Sequence, residues 1–284
     1  MKKYLILPLF LLLFACPNPV EDPNPPSKPI WVEKSLPDDP IELGIDADHT
    51  SGNRIVLMWH PNTDDDLSAY HIYRGEVVMN SNNISTTVYE KIASIDPSQQ
   101  FGVDTIYYDD SLTTYRNYYY YIEAEDLAEN RSIPSDSIMY KLLNAPTPVF
   151  PVNSTTNLFP TFRWLDNAAM FQYSNEYVIR VESSGLTFDP VWVCRFSNSW
   201  FGYENETPIP FPYFVPNGWW PGEGEDDPGI PGNASSNVIS CYGDTLGLGT
   251  GSYRWKVKAI SEVDNDTGMD EASSESEWSY FTVE

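Results

Sequence analysis

The amino-acid sequence predicts an all-β protein made of two tandem β-sandwiches. From Trp31 onward, apolar and aromatic residues alternate with polar ones in short runs separated by turn residues, a pattern typical of strands with one buried face. The 3.6-residue period of an amphipathic helix is not evident in any run. At 284 residues, with 41% hydrophobic and 14% aromatic side chains, the chain is long enough to bury two cores of ordinary size.

The chain begins with a segment typical of a secretory signal. Two lysines precede an apolar run at residues 4–14, and Cys16 follows a small residue. The run is too short to span a bilayer and has the order of features of a cleaved leader. The position of Cys16 resembles the lipobox of bacterial lipoproteins, in which this cysteine is acylated and becomes the first residue. The resemblance implies a signal peptide at 1–16 and a lipid anchor on Cys16.

A proline-rich linker follows the anchor at residues 17–29. Closely spaced prolines favour extended polyproline II structure and exclude helix and inner strand, so the linker is expected to be a semi-rigid stalk. Its acidic pair, Glu21 and Asp22, lies near the cysteine and is similar to surface-export signals of some Gram-negative lipoproteins. We therefore expect a lipid-anchored protein of the cell envelope, at the outer membrane of a Gram-negative bacterium.

The charge of the chain limits its partners. The formal net charge is -25, from 16 basic and 41 acidic residues. Removal of the two leader lysines leaves 14 basic residues and a charge of 14 - 41 = -27. Such a balance repels phosphate backbones and anionic lipid headgroups. Nucleic-acid binding is not expected, and acyl chains have to provide membrane attachment.

The first predicted domain covers residues 30–143. Strands are predicted at 54–59, 69–74 and 117–125; the first alternates imperfectly, and the other two place Tyr70 and Ile72, and Tyr118 and Ile122, on one face. Trp59, the 70–74 strand and the series Leu112, Tyr118, Ile122 resemble strands B, C and F of a fibronectin type III domain. The resemblance implies a β-sandwich in which the Tyr118 hydroxyl bonds back to the backbone near Leu112.

A second, looser copy is expected at residues 144–284. Its strands at 160–164, 177–181 and 251–259 parallel the first set, and a closing strand follows at 276–283. This order resembles the divergent fibronectin type III or immunoglobulin-like modules of bacterial surface proteins. The 251–259 strand is expected to bury Tyr253, Trp255, Val257 and Ala259 on one face.

A long aromatic-rich insertion, at about residues 186–246, interrupts the second copy. Long insertions in compact domains are usually functional or disordered, and dense aromatic residues argue against disorder. The rings form either a binding platform for a glycan or protein, or the small core of the loop itself. Ligand-binding candidates are Trp200, Tyr203, Tyr213, Trp219 and Trp220, with Trp219 and Trp220 expected at the exposed tip.

Two further side-chain sets are candidates for covalent or metal chemistry. Cys194 and Cys241 flank the insertion and are a possible disulfide in an oxidising compartment. Asp264, Asp266 and Asp270 have the spacing of an oxygen-ligand loop for calcium, although the glycine arrives one position early and the distal glutamate is missing. A solvated turn is the alternative for this loop. No other cofactor is expected.

The sequence shows no pattern typical of catalysis. It contains no Gly-x-Ser-x-Gly elbow and no glycine-rich phosphate loop before a helix. We therefore expect a non-catalytic surface lipoprotein that binds or adheres to a glycan or protein through loops of its β-sandwiches. The alternatives are a structural spacer of the envelope without a specific ligand and, third, an accessory module of a polysaccharide-acting system.

Overall fold

The protein is all-β, as the sequence predicts. The structure, a computed structural model, describes residues 23–79, 81–99, 105–155, 158, 160–168, 174–185, 187–197, 206–210, 238–243 and 247–284. One 3-10 helix, Pro97–Gln99, lies among the described residues. The strands are β1 (Ile30–Trp31), β2 (Asp46–Asp48), β3 (Arg54–His60), β4 (Leu67–Met79), β5 (Ser85–Ile95), β6 (Thr105–Asp109), β7 (Asn117–Asp126), β8 (Ile138–Leu142), β9 (Thr147–Phe150), β10 (Asn153–Thr155), β11 (Thr161–Leu165), β12 (Glu176–Ser184), β13 (Phe188–Ser197), β14 (Glu206–Pro210), β15 (Val238–Gly243), β16 (Gly251–Val263), β17 (Asp270–Glu275) and β18 (Ser279–Val283).

The N-terminal half, residues 30–143, consists of two facing sheets. In one sheet β3 pairs with β1 and β2 along one edge and with β6 along the other. In the other, β4 lies between β5 and β7, and β8 pairs with β7. The alternation predicted for β4 and β7 is confirmed, because one face of each strand is buried in the core between the sheets. This core contains Ile45, Ala47, Ile55, Leu57, Trp59, Tyr70, Ile72, Leu112, Tyr118, Tyr120, Ile122, Ala124, Tyr140 and Leu142.

Tyr118 makes the backbone contact that the fibronectin resemblance implies. Its hydroxyl accepts the Thr113 N–H at 2.9 Å and donates to the Thr113 carbonyl at 3.1 Å. Leu112, next to Thr113, is buried in the same core. The hydroxyl therefore holds the turn before β7 in place. The backbone groups that it contacts belong to Thr113, the residue after Leu112.

The C-terminal half, residues 144–284, also packs one sheet against another. The larger sheet has the order β15-β13-β12-β16, and both β17 and β18 pair with β16. The smaller sheet has the order β14-β11-β9. Tyr253, Trp255, Val257 and Ala259 all face the core, as predicted. The other buried members of this core are Phe162, Trp164, Tyr177, Ile179, Val181, Trp192, Cys194, Phe196, Leu248, Phe281 and Val283.

The ends of the predicted insertion belong to the sheet of the C-terminal half. Its first part forms β13 and its last part forms β15, and these two strands pair with each other. Trp192, one of the aromatic residues of the insertion, is 4% exposed within the core. The connection between β13 and β15 therefore spans residues 198–237, a shorter stretch than the predicted insertion.

The two halves share one continuous sheet. β8 pairs in parallel with β17, with Ala272 opposite Lys141 and Ser273 opposite Leu142. Leu142 faces the core of the N-terminal half, whereas Ser273 pairs with Ile260 on the outer face of the C-terminal half. Because residues opposite each other in a ladder point to the same side, the two cores lie on opposite faces of this sheet.

One serine contact recurs in both halves. Ser135 donates its N–H to the Ile122 carbonyl and accepts the Ile122 N–H with Oγ, both at 2.9 Å. Ser276 does the same with Val257, at 2.9 and 3.0 Å. In each half the hydroxyl replaces a backbone partner three residues before the last strand begins, at Ile138 and Ser279.

The linker ends earlier than residues 17–29 predict, because its last residues bind to the N-terminal half. The Ser27 N–H donates to both carboxylate oxygens of Asp64 at 3.2 Å, and Lys28 Nζ lies 2.7 Å from Asp136 Oδ1. These contacts place the point where the linker joins the fold at the start of β4. The residues that the structure describes include no helix long and apolar enough to cross a bilayer.

Candidate functional site

The most extensive polar site is a buried ionic junction between the two halves. It forms where the segment 32–46, which connects β1 to β2, lies against the outer face of β12, β13 and β16. Arg180 on β12 donates to the Pro40 carbonyl at 3.1 Å, which fixes the segment across that face. We call this set the junction network: Lys34, Asp38, Glu42, Asp46, Arg180, Arg195, Lys256, Lys258, Asp270 and Glu275.

Two lysines of β16 form the centre of the network. Lys256 and Lys258 alternate with core residues, so both point to the outer face of the sheet. Lys258 is 2% exposed, and its Nζ lies 2.6 Å from Asp46 Oδ2 and 3.5 Å from Asp270 Oδ2. Lys256 Nζ lies 2.6 Å from one carboxylate of each half, Glu42 and Glu275. Each lysine thus has a carboxyl partner from each half.

Tyr140 connects this network to the core of the N-terminal half. Its ring is fully buried in that core, and its hydroxyl lies 2.8 Å from Asp46 Oδ1. The same hydroxyl hydrogen-bonds with Asp270 and Ser273 on β17. Lys34 adds a cation 3.4 Å from Asp46 and 3.2 Å from Asp270. Asp46 and Asp270 therefore each have lysine partners from both halves, and both contact the Tyr140 hydroxyl.

Arg195 on β13 forms a second group of contacts in the junction network. Its Nε donates to Glu176 at 2.7 Å, and its Nη1 donates to the Gly268 carbonyl at 3.1 Å. The same Nη1 lies 3.5 Å from Asp38, which also accepts a hydrogen bond from Ser240 on β15. The junction thus extends across the sheet from β17 to β15.

An apolar cluster lies beside the charges on the same outer face. Val178, Val193 and Ile260 are at most 2% exposed, although they point away from the core of the C-terminal half. Burial of such side chains contributes on the order of 1.5–3 kcal/mol each. The junction therefore combines ion pairs with hydrophobic contact.

The surroundings of the network shift the pKa values of its members in opposite directions. Burial would raise the pKa of Asp270, but Lys258 and Lys34 outweigh it and hold the pKa well below its usual range. Burial would lower the pKa of Lys258, yet Asp270 and Asp46 raise it well above normal. These groups therefore stay charged around neutral pH.

Glu42 and Glu275 behave as a coupled pair around Lys256. Burial opposes ionisation of Glu42, but Lys256 and the neighbouring cations hold its pKa well below the usual value. Burial and the Glu42 carboxylate raise the pKa of Glu275 to about 8, against the opposing effect of Lys256. Glu275 therefore carries the proton of the pair at neutral pH. A cleft of about 230 Å³, whose walls include all three side chains, gives solvent a route to this proton.

A second candidate surface lies on the outer face of the N-terminal half. We call it the tyrosine face: Tyr73, Tyr89, Tyr119 and Tyr121, all half-exposed. Tyr73 and Tyr121 stack with centroids 4.5 Å apart, and Tyr89 meets Tyr121 edge-on at 4.9 Å. Gly75 makes this packing possible, because a Cβ there would approach the Tyr89 ring to 2.6 Å.

Polar contacts hold the tyrosine face in place. The Tyr73 hydroxyl donates to Glu123 at 3.0 Å and accepts from Arg131 at 2.9 Å. The Tyr89 hydroxyl lies 2.9 Å from Ser137 Oγ. Aromatic faces with satisfied polar tips suit stacking on sugar rings or contact with a protein surface. The strands predicted at 69–74 and 117–125 contain three of these tyrosines, but the sequence analysis did not identify this surface.

The predicted lipid-anchor residue, Cys16, lies outside the described residues. The same holds for the predicted binding residues Trp200, Tyr203, Tyr213, Trp219 and Trp220. Those residues remain predictions from the sequence.

The predicted calcium ligands have other partners. Asp264 Oδ1 accepts the N–H groups of Asp266 and Thr267 at 2.9 and 2.8 Å, as in a capped turn. Asp270 is 1% exposed and belongs to the junction network. Within the described ranges, no group of three or more acidic, histidine or cysteine side chains is arranged to hold a metal ion. The structure therefore does not bring the three aspartates together as a calcium site.

The predicted cysteine pair lies at the base of the β13–β15 connection. Cys194 is disulfide-bonded, and the strand register places Cys241 directly opposite it. Opposite residues in an antiparallel pair have Cα atoms about 4.5–5.5 Å apart, within the range that a disulfide spans. This register supports the pairing of Cys194 with Cys241.

Replacement of Lys258 tests the junction. In Lys258→Met, Asp46 loses its closest cation and Asp270 loses one of its two cations in a buried site, so the free energy of unfolding should fall by about 3–5 kcal/mol. Urea unfolding measures this change. The control is Lys91→Met, since Lys91 is exposed on β5, and its cost should stay within about 0.5 kcal/mol. Equal stability of the two variants would contradict the buried role of Lys258.

The Glu275 proton predicts a loss of stability as the pH rises from 4.5 to about 8. The folded-state pKa of Glu275 is about 8 against 4.5 for the free side chain. The folded protein therefore holds the proton more tightly, and this contribution decreases as pH rises from 4.5 through 8. Thermal melts between pH 6 and 9 should show this decrease, and Glu275→Gln should reduce it. Glu277→Gln, at an exposed site, should behave as the parent does. If the melting temperature of Glu275→Gln falls with pH as much as that of the parent, the raised pKa does not belong to Glu275.

Comparison with known proteins does not assign the chain to a family. No protein-family model matches the chain, and no curated protein matches it.

Proposed function

We propose that the chain is a non-catalytic, lipid-anchored protein of the bacterial cell envelope that binds a glycan or protein partner through its β-sandwich domains. The leader and Cys16 support the anchor, and the strand order with the Tyr118 contact supports fibronectin type III-like modules. The recurrence of the serine contact at Ser135 and Ser276 supports two copies of one module. The tyrosine face carries the binding proposal, because half-exposed rings on a rigid sheet offer a surface at low entropic cost.

The alternative is a spacer role in the envelope without a specific ligand. The junction favours this alternative, because it fixes the two halves relative to each other and so sets a constant length. The two roles are compatible in geometry, and they differ in whether any ligand engages the aromatic surfaces.

Membrane attachment tests the anchor. Cys16→Ser should move the protein out of the membrane fraction or leave it as an uncleaved precursor, because acylation needs the thiol. Detergent partitioning and mass spectrometry of the mature N-terminus measure this. Unchanged partitioning without a lipid on the N-terminus would overturn the anchor proposal.

A screen of glycans and envelope proteins tests the binding role. In Tyr89→Ala, the loss of one aromatic ring should weaken binding about tenfold. This corresponds to a loss of about 1.4 kcal/mol in binding free energy. The control is Tyr280→Ala, which removes a ring 56% exposed in the C-terminal half. The double variant Trp219→Ala/Trp220→Ala tests the insertion in the same screen. If no ligand is found and the double variant only lowers the melting temperature, the spacer role is favoured.

A further inference from the structure

A hydrogen-bonded series of serine, histidine and glutamate crosses three strands on the outer face of the N-terminal half. His71 on β4 faces Ser94 on β5 directly and Glu125 on β7 diagonally. The His71 Nδ1 lies 2.8 Å from Ser94 Oγ, and its Nε2 lies 2.9 Å from Glu125 Oε2. A hydroxyl, an imidazole and a carboxylate in this order form the arrangement that activates a serine as a nucleophile.

The hydrogen bonds of Glu125 determine where the imidazole proton lies. The contact with His71 and a second hydrogen bond, from Arg131 Nε at 3.1 Å, hold the pKa of Glu125 below its usual value. Glu125 is therefore a carboxylate at neutral pH and can only accept. His71 donates to it from Nε2, so Nδ1 of the neutral ring is the acceptor for the Ser94 hydroxyl.

Exposure differs along this series in the way that covalent chemistry requires. His71 is 4% exposed, so its ring is held in one position by the side chains around it. Ser94 is exposed, so a molecule in solution can reach its Oγ. The base is therefore fixed, whereas the nucleophile is accessible.

The backbone of β5 supplies a donor for the oxygen of a reacting carbonyl. Ile122 on β7 directs its N–H and carbonyl to Ser135. Its partner on β4, Ile72, therefore directs both groups toward Ala93 on β5. Ser94 is the next residue, so its N–H points to the other edge of β5, where no described strand pairs with it. This N–H can stabilise the negative charge that develops on an acyl oxygen.

We propose that Ser94 is a nucleophilic serine that accepts an acyl group from an activated ester, with His71 as general base and Glu125 as positioning residue. Ser94 Oγ forms a bond to the acyl carbon while its proton passes to His71 Nδ1. The bond from the acyl carbon to the leaving oxygen breaks, and His71 returns the proton to that oxygen. The products are acylated Ser94 and an alcohol.

This inference goes beyond the proposed binding function. It concerns one covalent transfer to Ser94 and not turnover, so it is compatible with a non-catalytic binding role. Because Ser94 lies at an open sheet edge, the ester can be carried on a large molecule.

A fluorophosphonate probe tests the reactivity of Ser94 in the full mature chain. Such probes react with activated serines, forming a P–O bond as fluoride leaves. Peptide mass spectrometry should place the label on Ser94, and p-nitrophenyl acetate should acetylate the same residue. Ser94→Ala should lose the label. Ser98→Ala, which removes another exposed serine of the N-terminal half, should be labelled as the parent is.

Two further variants test the base and the positioning residue. His71→Gln should slow labelling by about 100-fold or more, the contribution of a general base. Glu125→Gln should slow it by about tenfold or more. It should also raise the fraction of His71 with its proton on Nδ1, measured by imidazole nitrogen NMR, because an amide holds the Nε2 proton less strongly than a carboxylate. The matched control is Glu123→Gln, at a carboxylate of the same face that binds Tyr73 and Arg131, and both readouts should stay unchanged.

Three results would overturn the proposal. These are a parent that takes no label, a Ser94→Ala variant labelled as strongly as the parent, and a folded Glu125→Gln or His71→Gln variant that reacts as fast as the parent. The last result would show that Ser94 is an ordinary exposed serine. Circular dichroism identifies the folded variants, and if His71→Gln does not fold, Glu125→Gln decides. None of these results bears on the screen of glycans and envelope proteins.

Discussion

The arrangement of the two halves depends on the neutralisation of Lys256 and Lys258. Their side chains lie on the outer face of a sheet, where lysine is normally hydrated, and here they are almost completely buried. An unpaired buried cation costs several kcal/mol, so these lysines require nearby carboxylates. Glu275 and Asp270 come from the C-terminal half, but Glu42 and Asp46 come from the N-terminal half. The N-terminal half therefore supplies two of the four carboxyl groups around the two lysines of the C-terminal half.

The shared sheet explains why the junction lies where it does. Because the two cores occupy opposite faces of the sheet, the facing sheet of the N-terminal half lies on the outer side of the C-terminal half. The segment 32–46 connects two strands of that facing sheet, β1 and β2, and reaches across β16 to contact Arg180. The direct pairing of β8 with β17 covers only two residue pairs. The ion pairs of the junction network therefore join the halves over a wider region than this short ladder.

The sequence predicts the cores well, because alternation within a strand is a local property. Trp255 and Val257 in β16, and Tyr120 and Ile122 in β7, lie on the buried faces that alternation predicts. The same alternation predicts that Lys256 and Lys258 are solvated, since it cannot show that a distant segment covers them. For the same reason the sequence suggests Asp270 as a calcium ligand or as part of a solvated turn, because its partners Lys258 and Tyr140 lie far from it in sequence. A local signal for the junction is weak: two lysines alternate with the core residues Trp255, Val257 and Ala259 in a chain otherwise poor in cations.

Differential scanning calorimetry of the full mature chain at neutral pH tests the central claim, that the junction joins the halves into one cooperative unit. If it does, the chain unfolds in a single transition whose calorimetric and van't Hoff enthalpies agree. Two resolved transitions, each with the enthalpy of one half, would contradict it, because they would show that either half unfolds without disturbing Lys256 and Lys258.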